Sequence, residues 1–241
     1  MEISDVTKAA RKLLPLKTCG AVIVAAGNAS RMGGIDKVMA PLQGEPMIAR
    51  TVRTFQECDG VSEIVIVTRE DLILPITHLV WKMPKVKAVV CGGKSRQESV
   101  SLGLNALSDK VELAAIHDGA RPLVTWQVID RVIRAANTYG AAAPAIAVKD
   151  TIKVVEGRVV KATPDRSTLF AVQTPQVFEI GLIQGALAHA LEEGAVLTDD
   201  CSAVERIGFP VCLTQGSEDN LKITTPRDLT WGEAILAERM R

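Results

Sequence analysis

Apolar positions along the chain fall into runs of two kinds, and the two kinds alternate. Short continuous runs of strand length lie at residues 20–26 (GAVIVAA), 62–68 (SEIVIVT), 86–91, 112–117 (ELAAIH) and 142–148. Between them the spacing changes to that of an amphipathic helix. Ile48, Val52 and Phe55 carry it in 46–58, and Val100, Leu102, Leu104 and Leu107 carry it in 96–107. A run apolar at every position suits a strand covered on both faces, whereas an i, i+3/i+4 stripe suits a helix lying on one of them. Gln97 and Glu98 in the first turn mark the start of the second helix, and Gly140 closes a third over 126–139.

Strands alternating with helices predict a parallel sheet joined by right-handed crossovers, with its ligand at the carboxyl ends of the strands. After residue 148 the pattern breaks. Residues 150–163 (DTIKVVEGRVVKAT) alternate polar and apolar about Glu156-Gly157, which is a hairpin signal. Lys153, Arg158 and Lys161 make it a ribbon that is at most half buried. Helices follow at 179–193, 200–208 and 228–240, with a short strand at 211–214. The expected fold is α/β: a doubly wound, mostly parallel, Rossmann-like sheet over 19–241, with an inserted hairpin arm at about 149–167. Residues 1–18 read as an extension, helical around 6–14.

Composition narrows the partners. The 241 residues fit one large α/β domain. Only 3% are aromatic, so Val, Ile, Leu and Ala must fill the core. Lys plus Arg and Asp plus Glu are 28 each, so nothing global draws the chain to nucleic acid or acidic membranes, and an anion site must be a local cluster. Five cysteines, at 19, 58, 91, 201 and 212, form no C-x-x-C pair and are odd in number, which points to a reducing compartment without structural zinc. Glu2 and Asp5 interrupt the first residues, against a secretory signal. No stretch approaches the roughly 18 uncharged apolar residues of a membrane span. The expectation is a cytoplasmic protein.

The loop after the first strand holds the first cluster. Residues 25–34 read AAGNASRMGG, with Lys37 just beyond. Its glycines and small residues allow backbone N–H groups to approach an anion. Arg31 adds a planar fork for phosphate oxygens and Lys37 a mobile point charge. An ordinary strand-to-helix turn accounts for the glycines but not for the two cations. The dinucleotide fingerprint is excluded by Ala29 where its second glycine belongs, and a P-loop ending in Gly92-Gly93-Lys94-Ser95 by Ala88 where its first belongs. A second cluster, His117-Asp118-Gly119-Ala120-Arg121-Pro122, ends the fourth strand. A lone carboxylate there suits Mg²⁺, which takes one or two carboxylates plus substrate phosphates. A helix cap or turn is the competing role for Asp118, and Arg121 beside it favours function. His117 reads as a packed residue. Asp199 and Asp200 read as helix caps, Glu192 and Glu193 as solvated, and His189, Trp81, Trp126 and Trp231 as packing residues.

Taken together, the segments AAGNASRMG (25–33), GGKSRQESV (92–100), HDGARPL (117–123), KDTIK (149–153), TPDR (163–166), QTPQVF (173–178), LTDD (197–200) and NLKITTPRDL (220–229) resemble those of the 2-C-methyl-D-erythritol 4-phosphate cytidylyltransferases, in family order. The resemblance implies transfer of CMP from CTP to methylerythritol phosphate in the non-mevalonate isoprenoid pathway, with release of pyrophosphate and with Mg²⁺ as cofactor. It implies that Arg31 and Lys37 stabilise the transition state and that Arg166 and Lys222 position the acceptor phosphate. Thr151, Thr174, Thr198 and Arg121 would touch the acceptor. Gly93 and Ser99, with the backbone of Ala25, Ala26 and Gly27, would hold the cytidine, and Asp118 would serve nucleotide and metal. A homodimer is implied, each arm reaching into the partner's site.

Four positions depart from the family pattern. Asp36-Lys37-Val38 stands for Pro-Lys-Gln, Lys94 stands for an acidic residue, and Gly119 for alanine. Asp36 is expected to screen Lys37 in part. Transfer to ribitol 5-phosphate or another polyol phosphate is the alternative reading, and a non-catalytic nucleotide sensor is a third.

Overall fold

The computed structural model describes residues 15–27 and 36–240. The expected helix at 6–14 and the loop 28–35, with Arg31, lie outside the described residues.

The core of the fold is an eight-stranded sheet. Strands β1 (Cys19–Val24), β4 (Glu63–Thr68), β5 (Val86–Cys91) and β6 (Leu113–Asp118) run parallel in the order β6-β1-β4-β5. β7 (Ala141–Ala147) and β12 (Cys212–Gln215) extend the sheet on the far side, parallel to each other. Successive side chains on a strand point to opposite faces. Val22, Val65 and Ile116 therefore join a core cluster with Leu104, Phe178 and Ile183, while Ile23, Ile66 and Ala115 join another with Val52, Phe55 and Ile129. Both faces are covered along β1, which is why its run is apolar throughout. Each of the buried Val, Ile, Leu and Phe side chains contributes about 1.5–3 kcal/mol by leaving water.

The covering helices are α1 (Met47–Glu57), α2 (Ile73–Val80), α3 (Arg96–Asn105), α4 (Trp126–Tyr139), α5 (Ile180–Glu192), α6 (Asp200–Arg206) and α7 (Pro226–Arg239). All but α2 match the sequence reading to within about two residues. Gly140 stops α4 at φ 81°, as its position predicts. The sequence reading misses α2, whose ILPITHLV carries a proline and too few polar positions to show a period. It also misses two antiparallel strands, β10 (Phe170–Val172) and β11 (Gln176–Glu179). β11 threads between β6 and β7 against their direction, so the sheet is mixed at this point. A short hairpin, β2 (Pro41–Leu42) and β3 (Glu45–Pro46), is likewise new.

The tryptophans correct the sequence reading. Trp81, Trp126 and Trp231 are 73%, 56% and 48% exposed. They stand at helix ends or on outer helix faces, where Lys82 and Arg227 lie over the rings of Trp81 and Trp231. The predicted hairpin is present as β8 (Val154–Glu156) and β9 (Val159–Ala162). It departs further from the core than a half-buried ribbon would. Val154, Val155, Val159 and Val160 are all exposed, and among the described residues the ribbon pairs with no other strand.

Candidate functional site

The strand register brings the candidate loops to one edge. Val24 pairs with Val67 on one side and with Asp118 on the other, and Thr68 pairs with Cys91. The carboxyl ends of β1, β4, β5 and β6 are thus level, and a cleft of about 530 Å³ opens above them. Ala25, Ala26 and Gly27 form one wall, Gly93, Lys94 and Ser99 another, and Lys37, Asp118 and Lys222 also line it.

The glycine loop after β5 is held by backbone and cap. Gly92 N–H donates to Thr68 O at 2.7 Å, and a Cβ at Gly92 would lie 2.5 Å from the Ala26 Cβ. Only glycine lets the two loops approach this closely. Ser95 caps α3 by accepting from Glu98 N–H, and Glu98 in turn accepts from Lys94 N–H at 2.7 Å. Ser99 Oγ accepts from Gly93 N–H at 3.1 Å and donates to Ser95 O at 2.8 Å. Gly93 and Ser99 therefore form one rigid corner of the cleft.

Asp118 is the electrostatic centre. Lys222 Nζ lies 2.8 Å from Oδ2, with Arg121 Nε at 3.7 Å, and Arg96 Nη2 lies 3.6 Å from Oδ1. Burial alone would push this carboxyl up, but Lys222, Arg96 and Arg121 outweigh it and hold its pKa down to about 2. The group is an anion at any physiological pH. Thr174 sits beneath it, buried, with Oγ1 accepting from Asp118 N–H at 3.2 Å and meeting His117 Nδ1 at 3.0 Å. His117 is fully buried against Phe55. Burial holds its pKa down to about 4, the charge of Asp118 only partly opposing. It is a packed, neutral residue, as expected. Arg121 is half-buried and donates to Asn220 O at 2.7 Å, tying the β6 turn to the segment that carries Lys222.

Several candidates stand apart from the cleft lining. Thr151, Arg166 and Thr198 are exposed, and Arg166 Nη1 donates to Lys149 O at 2.7 Å within the arm.

Two arginines of the cleft were not singled out from the sequence. Arg69, the first residue after β4, lines it and pairs with Asp36 at 2.5 Å and with Asp71 at 3.0 Å. The Asp36 carboxylate also accepts from Val38 N–H, so it is engaged by Arg69 and by its own turn. Arg96 lines the cleft too, and its two terminal nitrogens each donate at 2.7 Å to the Asp200 carboxylate. Asp199 is a helix cap, as read, with a full capping box on α6; Asp200 is instead the buried partner of Arg96. A strand-end position was the available signal for Arg69, since ligands sit there. Arg96 carried a different one: a cation in the first turn of a helix opposes the helix dipole and needs another reason to be there.

Among the described residues no group of three or more His, Cys, Asp or Glu converges to hold a metal. Among the described residues two carboxylates line the cleft, Glu70 and Asp118, and Asp118 has Arg96 3.6 Å from its Oδ1. That donor set does not make a protein cage, but it does suit a cation completed by substrate phosphates. No helix among the described residues is long and apolar enough to cross a membrane.

Comparison with known proteins adds a family. The family model for 2-C-methyl-D-erythritol 4-phosphate cytidylyltransferase matches residues 19–238. The enzyme of that name from Symbiobacterium thermophilum is 47% identical over 91% of this chain and 93% of its own length. The one from Geobacillus kaustophilus is 45% identical over 91% and 97%. Among solved structures, 4-diphosphocytidyl-2C-methyl-D-erythritol synthase from Anaerococcus prevotii superposes with a TM-score of 0.84 at 29% identity, over 92% of this chain and 96% of that one. The cytidylyltransferase from Thermus thermophilus does so with a TM-score of 0.75 at 30% identity, over 90% and 98%.

Proposed function

The chain belongs to the 2-C-methyl-D-erythritol 4-phosphate cytidylyltransferase family, and from that premise we propose how its own residues carry the transfer. The reaction joins the cytidylyl group of CTP to 2-C-methyl-D-erythritol 4-phosphate, giving 4-diphosphocytidyl-2-C-methyl-D-erythritol and pyrophosphate for isoprenoid precursor synthesis. The observation that carries the assignment of roles is that Lys37, Lys222, Arg69 and Arg96 line one cleft with Asp118, at the carboxyl ends of the strands.

Such transfer asks for positioning and charge stabilisation rather than covalent catalysis. An oxygen of the acceptor phosphate attacks the α-phosphorus of CTP, and the bond to the β-phosphate breaks in line. The Ser99 hydroxyl is committed to Ser95 O and His117 is buried behind Thr174, so neither is offered as nucleophile or base. Lys37, with Arg31 from the adjoining loop, stabilises the charge that grows on the α-phosphate. The Gly93–Ser99 corner and the backbone of Ala25, Ala26 and Gly27 hold the cytidine. Lys222 and Arg166 take the acceptor phosphate, with Thr151, Thr174, Thr198 and Arg121 around its polyol. Asp118 is the residue that would hold Mg²⁺, which when bound neutralises triphosphate oxygens.

The arm's four exposed valines and the location of Thr151 and Arg166 on the arm, away from the cleft lining, support a homodimer in which each arm completes the partner's site. A two-stranded ribbon of this size is marginal by itself in water. The chain's composition supports a cytoplasmic enzyme without nucleic-acid or membrane partners.

The test is direct. Purified protein with CTP, Mg²⁺ and methylerythritol phosphate is expected to release pyrophosphate, with ribitol 5-phosphate turned over far more slowly. Release no faster than by Lys37→Ala protein would overturn the reading.

A further inference from the structure

Asp118 is held from two sides by a closed circuit of side chains. Its N–H donates to Thr174 Oγ1 at 3.2 Å. Two residues on, at the start of β11, Gln176 Oε1 accepts from the N–H groups of Asp200 and Cys201 at 2.9 and 3.0 Å. The Asp200 side chain, only 1% exposed, takes both terminal nitrogens of Arg96 at 2.7 Å. Arg96 then faces Asp118 Oδ1 at 3.6 Å and closes the circuit. The last link is a charge contact, too long for a hydrogen bond.

The circuit has two features that a merely structural ion pair lacks. Arg96 opens α3 within the nucleotide corner, between Gly93 and Ser99, and its side chain forms part of the cleft wall. Asp200 opens α6, two residues after the exposed Thr198 of the acceptor-side loop. A bidentate fork fixes both distance and plane, which a lysine at this position would not do. Burial works against the charge of Arg96, but Asp200 and Asp118 more than offset it and push its pKa up.

We propose that Arg96 is a positioning residue for the transfer: clamped by Asp200, it holds Asp118 and the acceptor-side loop in register with the nucleotide corner. Asp118 so held directs Oδ2 to Lys222, and the acceptor phosphate meets Lys222 in one place. This rests on the cytidylyltransferase reading of the cleft. It assigns Arg96 to alignment of the acceptor, not to contact with CTP.

The experiment compares Arg96→Ala, Arg96→Lys and Asp200→Asn with the unaltered enzyme, measuring kcat and KM for each substrate and the melting temperature. Arg96→Ala is expected to raise KM for methylerythritol phosphate at least tenfold and to lower kcat, with KM for CTP within threefold. Free guanidinium ion at millimolar concentration is expected to restore at least fivefold of the lost rate, and Arg96→Lys to restore little. Asp200→Asn, which keeps shape and loses the charge, is expected to show the same acceptor-side defect more weakly and stands in if Arg96→Ala does not fold. A purely structural role would lower the melting temperature and the active fraction with both KM values unchanged and no guanidinium rescue. That result, or a rise confined to the KM for CTP, overturns the proposal. Absence of pyrophosphate release by the unaltered enzyme would instead overturn the cytidylyltransferase reading beneath it.

Discussion

The ammonium of Lys222 lies 2.8 Å from Oδ2 of Asp118, joining a half-exposed cation to an almost buried carboxylate. Asp118 faces three cations, Lys222, Arg96 and Arg121, and shares Arg96 with the buried Asp200. Lys222→Ala is expected to lower kcat/KM for the acceptor by about 100-fold or more, the scale of losing one preorganised charge at a transferring phosphate. Steady-state kinetics with each substrate in turn checks it. An unchanged kcat/KM for methylerythritol phosphate would remove Lys222 from the site.

His117 gives the fold a dependence on pH that is separate from catalysis. It is buried neutral, with its pKa held down to about 4 from an ordinary 6.5. Below pH 6.5 the unfolded chain takes up a proton at this residue that the folded chain refuses until about pH 4. The stabilisation is therefore complete above pH 6.5 and is lost as pH falls to about 4, a loss of about 3 kcal/mol. Urea unfolding from pH 7 to pH 4 measures it. His117→Asn protein is expected to start less stable and to show a flatter slope over that window, whereas equal slopes would contradict the assignment.

Asp36 beside Lys37 departs from the family pattern, and the structure supplies its counterweight in Arg69. Arg69→Ala is expected to slow turnover about tenfold, because the Asp36 carboxylate is then left uncompensated next to Lys37. Adding Asp36→Asn to Arg69→Ala is expected to recover most of the loss, an interaction that a double-mutant cycle isolates. Additive losses in the double variant would mean that Arg69 acts on substrate independently of Asp36.

The parallel half of the sheet was legible in the sequence because strands buried on both faces leave an unmistakable run, as in GAVIVAA and ELAAIH. Strand β11 was not, since QVFE is four residues long and its place between β6 and β7 is set by pairing that no local pattern encodes. The cleft followed the same division. Asp118 and the glycine corner sit at ends of readable strands, and their chemistry follows from that place. Arg96 and Asp200 meet only because the fold brings the first residues of α3 and α6 together, and a lone arginine and a lone aspartate carry no mark of each other in sequence. The tryptophans misled because an aromatic residue reads as core by composition, whereas these stand on outer faces.

The arm offers the sharpest test of assembly. Val155 and Val160 pair across the ribbon and are 56% and 52% exposed in the single chain. A partner covering them would bring the arm's Thr151 and Arg166 to the second cleft. The enzyme is expected to sediment at twice 25.8 kDa, and Val155→Asp to shift it to the monomer with loss of activity. Thr151→Ala and Arg166→Ala enzymes, each inactive alone, are expected not to complement each other when mixed under exchange. If one arm carries both residues to one partner site, each cleft of the mixed dimer still lacks one of them. Recovery of about a quarter or more of the original rate on mixing would show that Thr151 and Arg166 serve different clefts, and a monomer with full activity would remove the arm from the site altogether.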